Sequence, residues 1–347
     1  MMKRKIKVGL MFGGRSGEHE VSLMSATSVL AALDLDKYEP VPIGITKEGR
    51  WITTNDPLAT LKRNEPVEGC ELPVKLLQEL DVVFPILHGP YGEDGTIQGL
   101  LEILDVPYVG AGVTGSAVGM DKRIMKQVFR QYGLPVVKFI TFSRREWQEE
   151  ASKILARVAC ELGYPCFVKP VNLGSSVGIS KANNAAQLDD AIALASQYDS
   201  QVIVEEFINC REIEISVLGN ERPQVSIPGE IVPHLEFYNY EAKYTAGKSD
   251  LIIPAPLCKE KTKEIQDLAL QAFIAAGVCG MARVDFFIDK NTETVFINEL
   301  NTIPGFTQLS MYPKLWEASG ISYPDLIEKL IFYALERYNE KKSKRIV

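Results

Sequence analysis

The chain has 347 residues, more than one hydrophobic core organises, because single cores stop growing at about 250–300 residues; two or three domains are expected. Hydrophobic residues make up 46% and charged residues 24%, the balance of a folded globular protein, and this excludes a disordered or low-complexity chain. A net charge of −7 argues against nucleic acid or an anionic membrane as the main partner, since both require a clustered positive field.

The basic runs, Lys3-Arg4-Lys5 and Lys341-Lys342-Ser343-Lys344-Arg345, are terminal and read as solvated tails. Lys5 to Phe12 is a short apolar run closed by Gly13-Gly14-Arg15, which makes it a first strand and not a signal peptide. A Ser-rich helical stretch, Glu20 to Leu33, and a strand, Tyr38 to Ile45, follow. Val82 to Leu87 is another apolar run, ending in the polar loop His88 to Gly95 before a helix, Thr96 to Leu104. Strands alternating with helices give an open α/β sheet, whose ligands bind at the carboxyl ends of the strands.

After Gly119 the pattern changes to a helix at Asp121 to Tyr132, a strand at Val136 to Thr141, a helix at Trp147 to Leu162 and strands at Cys166 to Lys169 and Val202 to Glu206. Strand-like runs then follow one another at Glu212 to Leu218, Ile227 to Val232, Met281 to Ile288 and Thr294 to Asn298, the pattern of an antiparallel sheet. The last helix, Tyr323 to Tyr338, sets Leu326, Ile327, Leu330, Ile331, Ala334 and Leu335 on one face, a core stripe. No apolar run approaches the roughly 20 residues that cross a bilayer. Six cysteines without a C-x-x-C pair read as buried, reduced thiols, and the three histidines are never three or four apart, so neither a disulfide framework nor a zinc site is expected.

Two nucleotide motifs fail on inspection. Gly247-Lys248-Ser249 resembles the end of a P-loop, but the required earlier glycine falls on Ala242, and Gly13, Gly14 and Gly17 have the wrong spacing for a dinucleotide fingerprint. The segment Lys169 to Gly178 instead follows a strand with a cation, two hydroxyls (Ser175, Ser176) and flexible amides, which suits a phosphate lid or, equally, a Gly/Ser surface turn. Asp285, Glu299 and Asn301 offer hard oxygen ligands, the latter two on one strand face, and a Mg²⁺ bound through carboxylates and phosphates relieves their repulsion. Arg283, two residues before Asp285, shares its face and can stabilise an oxyanion, as can the amide of Gly305 in the turn Asn301 to Phe306.

Gly13 to Ser22, Leu87 to Gly95, Lys169 to Gly178, Phe237 to Tyr244 and Asn298 to Thr307 occur in the order found in D-alanine:D-alanine ligases, and over essentially its whole length the chain resembles that branch of the ATP-grasp superfamily. The resemblance implies an α/β fold of three domains: an N-terminal Rossmann-like parallel sheet (1–121), a central ATP-grasp subdomain (122–210) and a C-terminal one with the Mg site (211–347). It implies that Lys122, Lys169 and Ser176 hold ATP phosphates, that Glu205, Glu206, Phe207, Ile208, Glu212 and Phe287 surround the adenosine, and that Asp285, Glu299 and Asn301 bind two Mg²⁺, with Mn²⁺ able to substitute. Glu18, supported by Ser175 and Tyr244, receives the ammonium of the first D-alanine with His88 nearby; Lys243 serves the phosphoryl transfer, Arg283 and Gly305 form the oxyanion hole, and Ser310 takes the second carboxylate. The expected reaction joins two D-alanines through a D-alanyl phosphate for peptidoglycan precursors, in a cytoplasmic homodimer with no nucleic-acid or membrane partner. Lys243-Tyr244 matches the dipeptide-forming branch, whereas depsipeptide-forming relatives carry a histidine-bearing loop there.

Overall fold

The computed structural model describes residues 4–53, 56–64, 69–174, 177–233 and 249–344. Ser175, Ser176, Lys243 and Tyr244 lie outside them.

The first sheet contains β1 (Ile6–Gly13), β2 (Tyr38–Ile45), β3 (Trp51–Ile52) and β4 (Val82–Ile86) in the order β3-β2-β1-β4. β1 runs parallel to both β2 and β4. Such strands are covered on both faces, which is why β4 is buried at every position and reads as an unbroken apolar run. Around this sheet lie α1 (His19–Ala32), α2 (Pro57–Lys62), α3 (Val74–Gln78) and α4 (Thr96–Ile103), while α5 (Val113–Met120) packs Val118 into the core of the third sheet.

The second unit begins with α6 (Lys122–Gln131), capped by the Asp121 carboxylate accepting from the Ile124 N–H. β5 (Phe139–Ser143), α7 (Arg144–Glu161), β6 (Cys166–Pro170), β7 (Ser180–Ala182), α8 (Ala185–Tyr198) and β8 (Gln201–Glu206) follow, with antiparallel order β5-β8-β6-β7. The strand expected at Val136 to Thr141 is shifted to Phe139–Ser143, where β8 offers its pairing edge. The helix expected from Trp147 starts at Arg144 because Ser143 and Glu146 form a reciprocal capping box.

The third sheet takes β9 (Cys210–Gly219), β10 (Gln224–Val225), β11 (Gly229–Pro233), β12 (Ser249–Ile252), β13 (Gly280–Asp289) and β14 (Val295–Asn301). Its order is β12-β11-β9-β13-β14 with β10 on β9, antiparallel throughout. Three helices complete the chain: α9 (Lys259–Ala275), α10 (Met311–Ala318) and α11 (Tyr323–Ser343). The apolar stripe of α11, Leu326, Ile327, Leu330, Ile331 and Ala334, packs into one core with Val8, Leu10, Phe12 and Phe84 of the first sheet. The chain's end therefore closes its beginning.

The cysteines correct one expectation. All six are free, but Cys70, Cys160 and Cys258 are exposed and only Cys166 is fully buried.

Candidate active site

A cleft of about 500 Å³ opens between the second and third sheets, and Lys122, Lys169, Glu205, Glu206, Phe207, Ile208, Glu212, Phe287 and Glu299 all line it. Nine of the residues named from sequence thus meet in one cavity. The apolar end carries Phe167 and Phe207, ring centroids 6.1 Å apart, with the Lys181 ammonium 4.6 Å above the Phe207 ring. Such an arrangement accepts a flat aromatic ligand.

The cationic end is built on a buried cluster. Glu205 on β8 is 2% exposed. One of its oxygens lies 2.7 Å from Lys169 Nζ and the other 3.1 Å from Lys126 Nζ. Burial by itself would raise the Glu205 carboxyl, but the two ammonium groups outweigh it and hold the pKa at about 2. Two cations against one anion leave the cluster net positive, as a polyphosphate site requires. Lys126, one helical turn after Lys122, also donates to the Asn298 carbonyl at 3.0 Å. Lys122 donates to the Leu173 carbonyl at 2.6 Å and sits 3.7 Å from a Glu299 oxygen.

On the third sheet, Asp285 lies directly opposite Glu299 of β14 and Glu214 of β9. The register of β14 shifts between Asp285 and Phe286, so that Glu299 faces Asp285 while Ile297 faces Phe286. This bulge keeps Ile297 and Leu300 in the core although they are three apart, and it leaves Glu299 and Asn301 on the polar face. Arg283 forms a bidentate pair with Asp285, 2.7 Å at each contact, and its Nε is 2.9 Å from Glu214. Burial opposes the charge on Arg283, but Asp285 and Glu214 raise its pKa well above the ordinary value. The Asn301 amide donates to Asp285 at 3.0 Å.

A third group sits where the first sheet meets the loop after β14. A methyl at Gly89 would fall 2.7 Å from the Glu18 carboxylate and one at Gly174 would fall 3.1 Å from it, so Glu18 lies against Gly174, midway along the Lys169 to Gly178 segment. His88 is 3% exposed, with Nδ1 2.9 Å from the Ile303 carbonyl and Nε2 3.1 Å from Ser25 Oγ. Glu93 accepts from the N–H groups of Gly89 and Ile303, 2.8 Å each. Burial, reinforced by the charge of Glu18, raises the Glu93 carboxyl to about 8. Ser310, just before α10, accepts from the Thr307 N–H at 3.1 Å, and its hydroxyl lies 3.1 Å from a methyl built at Gly305.

Sequence reading missed Lys126, Phe167, Lys181, Glu214, Glu93 and Ser25. Lys126 carried a signal: it recurs one turn after Lys122 on a helix whose Met125 and Phe129 are fully buried. Glu214 shares a strand face with Glu212, two residues away. Glu93 lies within the Leu87 to Gly95 motif and pairs locally with Gly89, but its second partner, Ile303, is 210 residues distant.

Comparison with known proteins bears on the whole chain. The family profile "D-ala D-ala ligase N-terminus" matches residues 7–111 and "D-ala D-ala ligase C-terminus" matches residues 128–332. The chain is 51% identical to the D-alanine–D-alanine ligase of Thermoanaerobacter sp. over 97% of its own length and 98% of the relative's. It is 48% identical to that of Natranaerobius thermophilus, over 97% of each. Among solved structures, the D-alanine–D-alanine ligase of Coxiella burnetii superimposes with a TM-score of 0.83 at 37% identity, covering 98% of this chain and 97% of the other. The VanG D-Ala:D-Ser ligase of Enterococcus faecalis gives 0.85 at 36% identity, over 95% and 100%.

Proposed function

The chain belongs to the D-alanine–D-alanine ligase family, and from that premise we propose that it joins two D-alanines at the expense of ATP, supplying a peptidoglycan precursor. The observation that carries the reading is the alignment of the Lys122, Lys169 and Glu205 cluster with the Glu299 end of one cleft, next to the Arg283–Asp285 pair.

Lys122 and Lys169, with Ser176, bind the phosphates, while Glu205, Glu206, Phe207, Ile208, Glu212 and Phe287 surround the adenosine. Lys169 suits that role because Glu205 orients it and, against the cost of burial, keeps it charged. The carboxylate oxygen of the first D-alanine attacks the γ-phosphorus and the bond to ADP breaks, giving an acyl phosphate; Lys243 assists by offsetting charge between the two anions. Glu18 anchors the ammonium of that D-alanine, supported by Ser175 and Tyr244, and His88 lies close by. The second D-alanine, its carboxylate at Ser310, gives up one ammonium proton to solvent as it enters and attacks the acyl carbon, and the adduct nitrogen sheds its second proton to the departing phosphate. The tetrahedral oxyanion falls between Arg283 and the Gly305 N–H, and collapse expels phosphate.

Asp285, Glu299 and Asn301 form a hard oxygen set on adjacent strands, which fits two Mg²⁺, or Mn²⁺, and does not fit a soft metal. When bound, the ions neutralise polyphosphate charge.

Among the described residues no helix is long and apolar enough to cross a membrane. A cytoplasmic homodimer with small-molecule partners and the domain limits 1–121, 122–210 and 211–347 complete the proposal. The test is phosphate release from Mg-ATP with D-alanine, L-alanine, or D-alanine plus D-lactate or D-serine, products resolved by mass. Release that requires D-alanine and yields its dipeptide supports the reading; release indifferent to D-alanine overturns it.

A further inference from the structure

Glu93 and Ser25 take part in no step above, yet both end on the turn that carries Gly305. Each Glu93 oxygen receives a backbone N–H, one from Gly89 and one from Ile303, at 2.8 Å. A carbonyl can only accept, so His88 Nδ1 carries the proton given to Ile303 O at 2.9 Å. In the neutral ring Nε2 then accepts from the Ser25 hydroxyl at 3.1 Å, and the Ser25 oxygen accepts from the Phe306 N–H at 3.3 Å. The Tyr323 hydroxyl donates to the Phe306 carbonyl at 2.6 Å.

Ile303 is thus held at both its N–H and its C=O, and so is Phe306, with Gly305 between them. The groups that hold them are buried: His88 is 3% exposed, Ser25 0% and Tyr323 7%. Glu93 and His88 belong to the loop after β4, and Ser25 to α1, so apart from Tyr323 on α11 the groups that template the turn come from the first domain and the turn itself from the third.

We propose that Glu93, with Ser25 and His88, positions the Gly305 amide for the oxyanion, so that the first domain sets the geometry of a donor it does not itself contain. The proposal rests on the reading of Gly305 as an oxyanion donor. A donor displaced by about 1 Å forfeits on the order of 100-fold in rate. A glutamine at position 93 keeps the shape but turns an NH₂ toward one of the two N–H groups, so one contact becomes repulsive.

The experiment compares Glu93→Gln, Ser25→Ala and Gly305→Pro in the full chain, measuring D-alanine-dependent phosphate release and, by calorimetry, ADP affinity. The expected result is a kcat lower by roughly 100-fold for Glu93→Gln and roughly 10-fold for Ser25→Ala, with KM for ATP and ADP affinity unchanged within about twofold. Parental kcat in Glu93→Gln beside lost turnover in Gly305→Pro overturns the template while sparing the oxyanion reading. Full turnover in Gly305→Pro, which has no N–H at that position, overturns that reading and the template with it. A fall in kcat matched by an equal loss of ADP affinity also overturns the template, because it marks general disruption. If Glu93→Gln does not fold, Ser25→Ala decides alone, since it removes a single hydroxyl, and parental kcat there refutes the proposal.

Discussion

Replacing Lys126 by methionine separates the buried charge cluster from the cleft it supports. The variant keeps the aliphatic length but removes the ammonium that pairs with Glu205 at 3.1 Å and donates to the Asn298 carbonyl at 3.0 Å. Each hydrogen bond to a charged group contributes about 1.5–3 kcal/mol, and breaking a buried pair by removing one partner costs about 3–5 kcal/mol. Methionine no longer has to be desolvated as an ammonium, which returns part of that, so a net loss of about 3 kcal/mol is expected. At about 2–4 °C per kcal/mol, Tm should fall by roughly 6–12 °C. KM for ATP should rise as well, because Glu205 then faces Lys169 alone and the pair no longer carries a surplus positive charge. Scanning calorimetry with and without ADP, together with initial rates at varied ATP, measures both. A Tm within about 1 °C of the parent and an unchanged KM would refute the reasoning.

Acid unfolding follows from the same cluster. Glu205 ionises near 2 in the folded chain against 4.5 ordinarily, so the unfolded state takes up its proton first as pH falls. Its stabilisation is complete above about pH 4.5 and drains away toward pH 2. In Lys126→Met the folded pKa moves up and the acid midpoint by circular dichroism should rise; a falling midpoint contradicts the assignment. Arg283→Met should lower kcat by roughly 10²–10³-fold with KM for ATP unchanged, and equal damage to both parameters would remove its transition-state role. Gly89→Ala meets a φ of +75° and a methyl 2.7 Å from Glu18, so KM for D-alanine should rise while ADP affinity holds; an unaltered KM would count against Glu18 as the ammonium anchor.

How much of this was readable beforehand depends on range. Tyr38 to Ile45 matched β2 residue for residue, its buried end Ile43 to Ile45 and its apolar Tyr38 and Val41 marking a strand although Glu39 is exposed. Period two placed Arg283 with Asp285 and Glu299 with Asn301 correctly on shared faces. The β14 bulge was hidden, since an extra residue leaves no compositional mark, and so the strand was expected to end at Asn298 when it continues to Asn301. Glu93 was missed for another reason, and the helical spacing of Lys126 told only its face and not its pairing: a buried charge looks like a surface charge until its partner is known, and that partner is set by folding.

The seating of α11 against the first sheet has a consequence for biosynthesis. The apolar face formed by Val8, Leu10, Phe12 and Phe84 is completed by Leu326, Leu330 and Ile331, which are translated about 240 residues after Phe84. At about 5–20 residues per second, this core waits many seconds with α1 in place but without the helix that completes it. It is therefore the part of the nascent chain most in need of a chaperone, and a message truncated before codon 323 yields a product that is sticky as well as inactive.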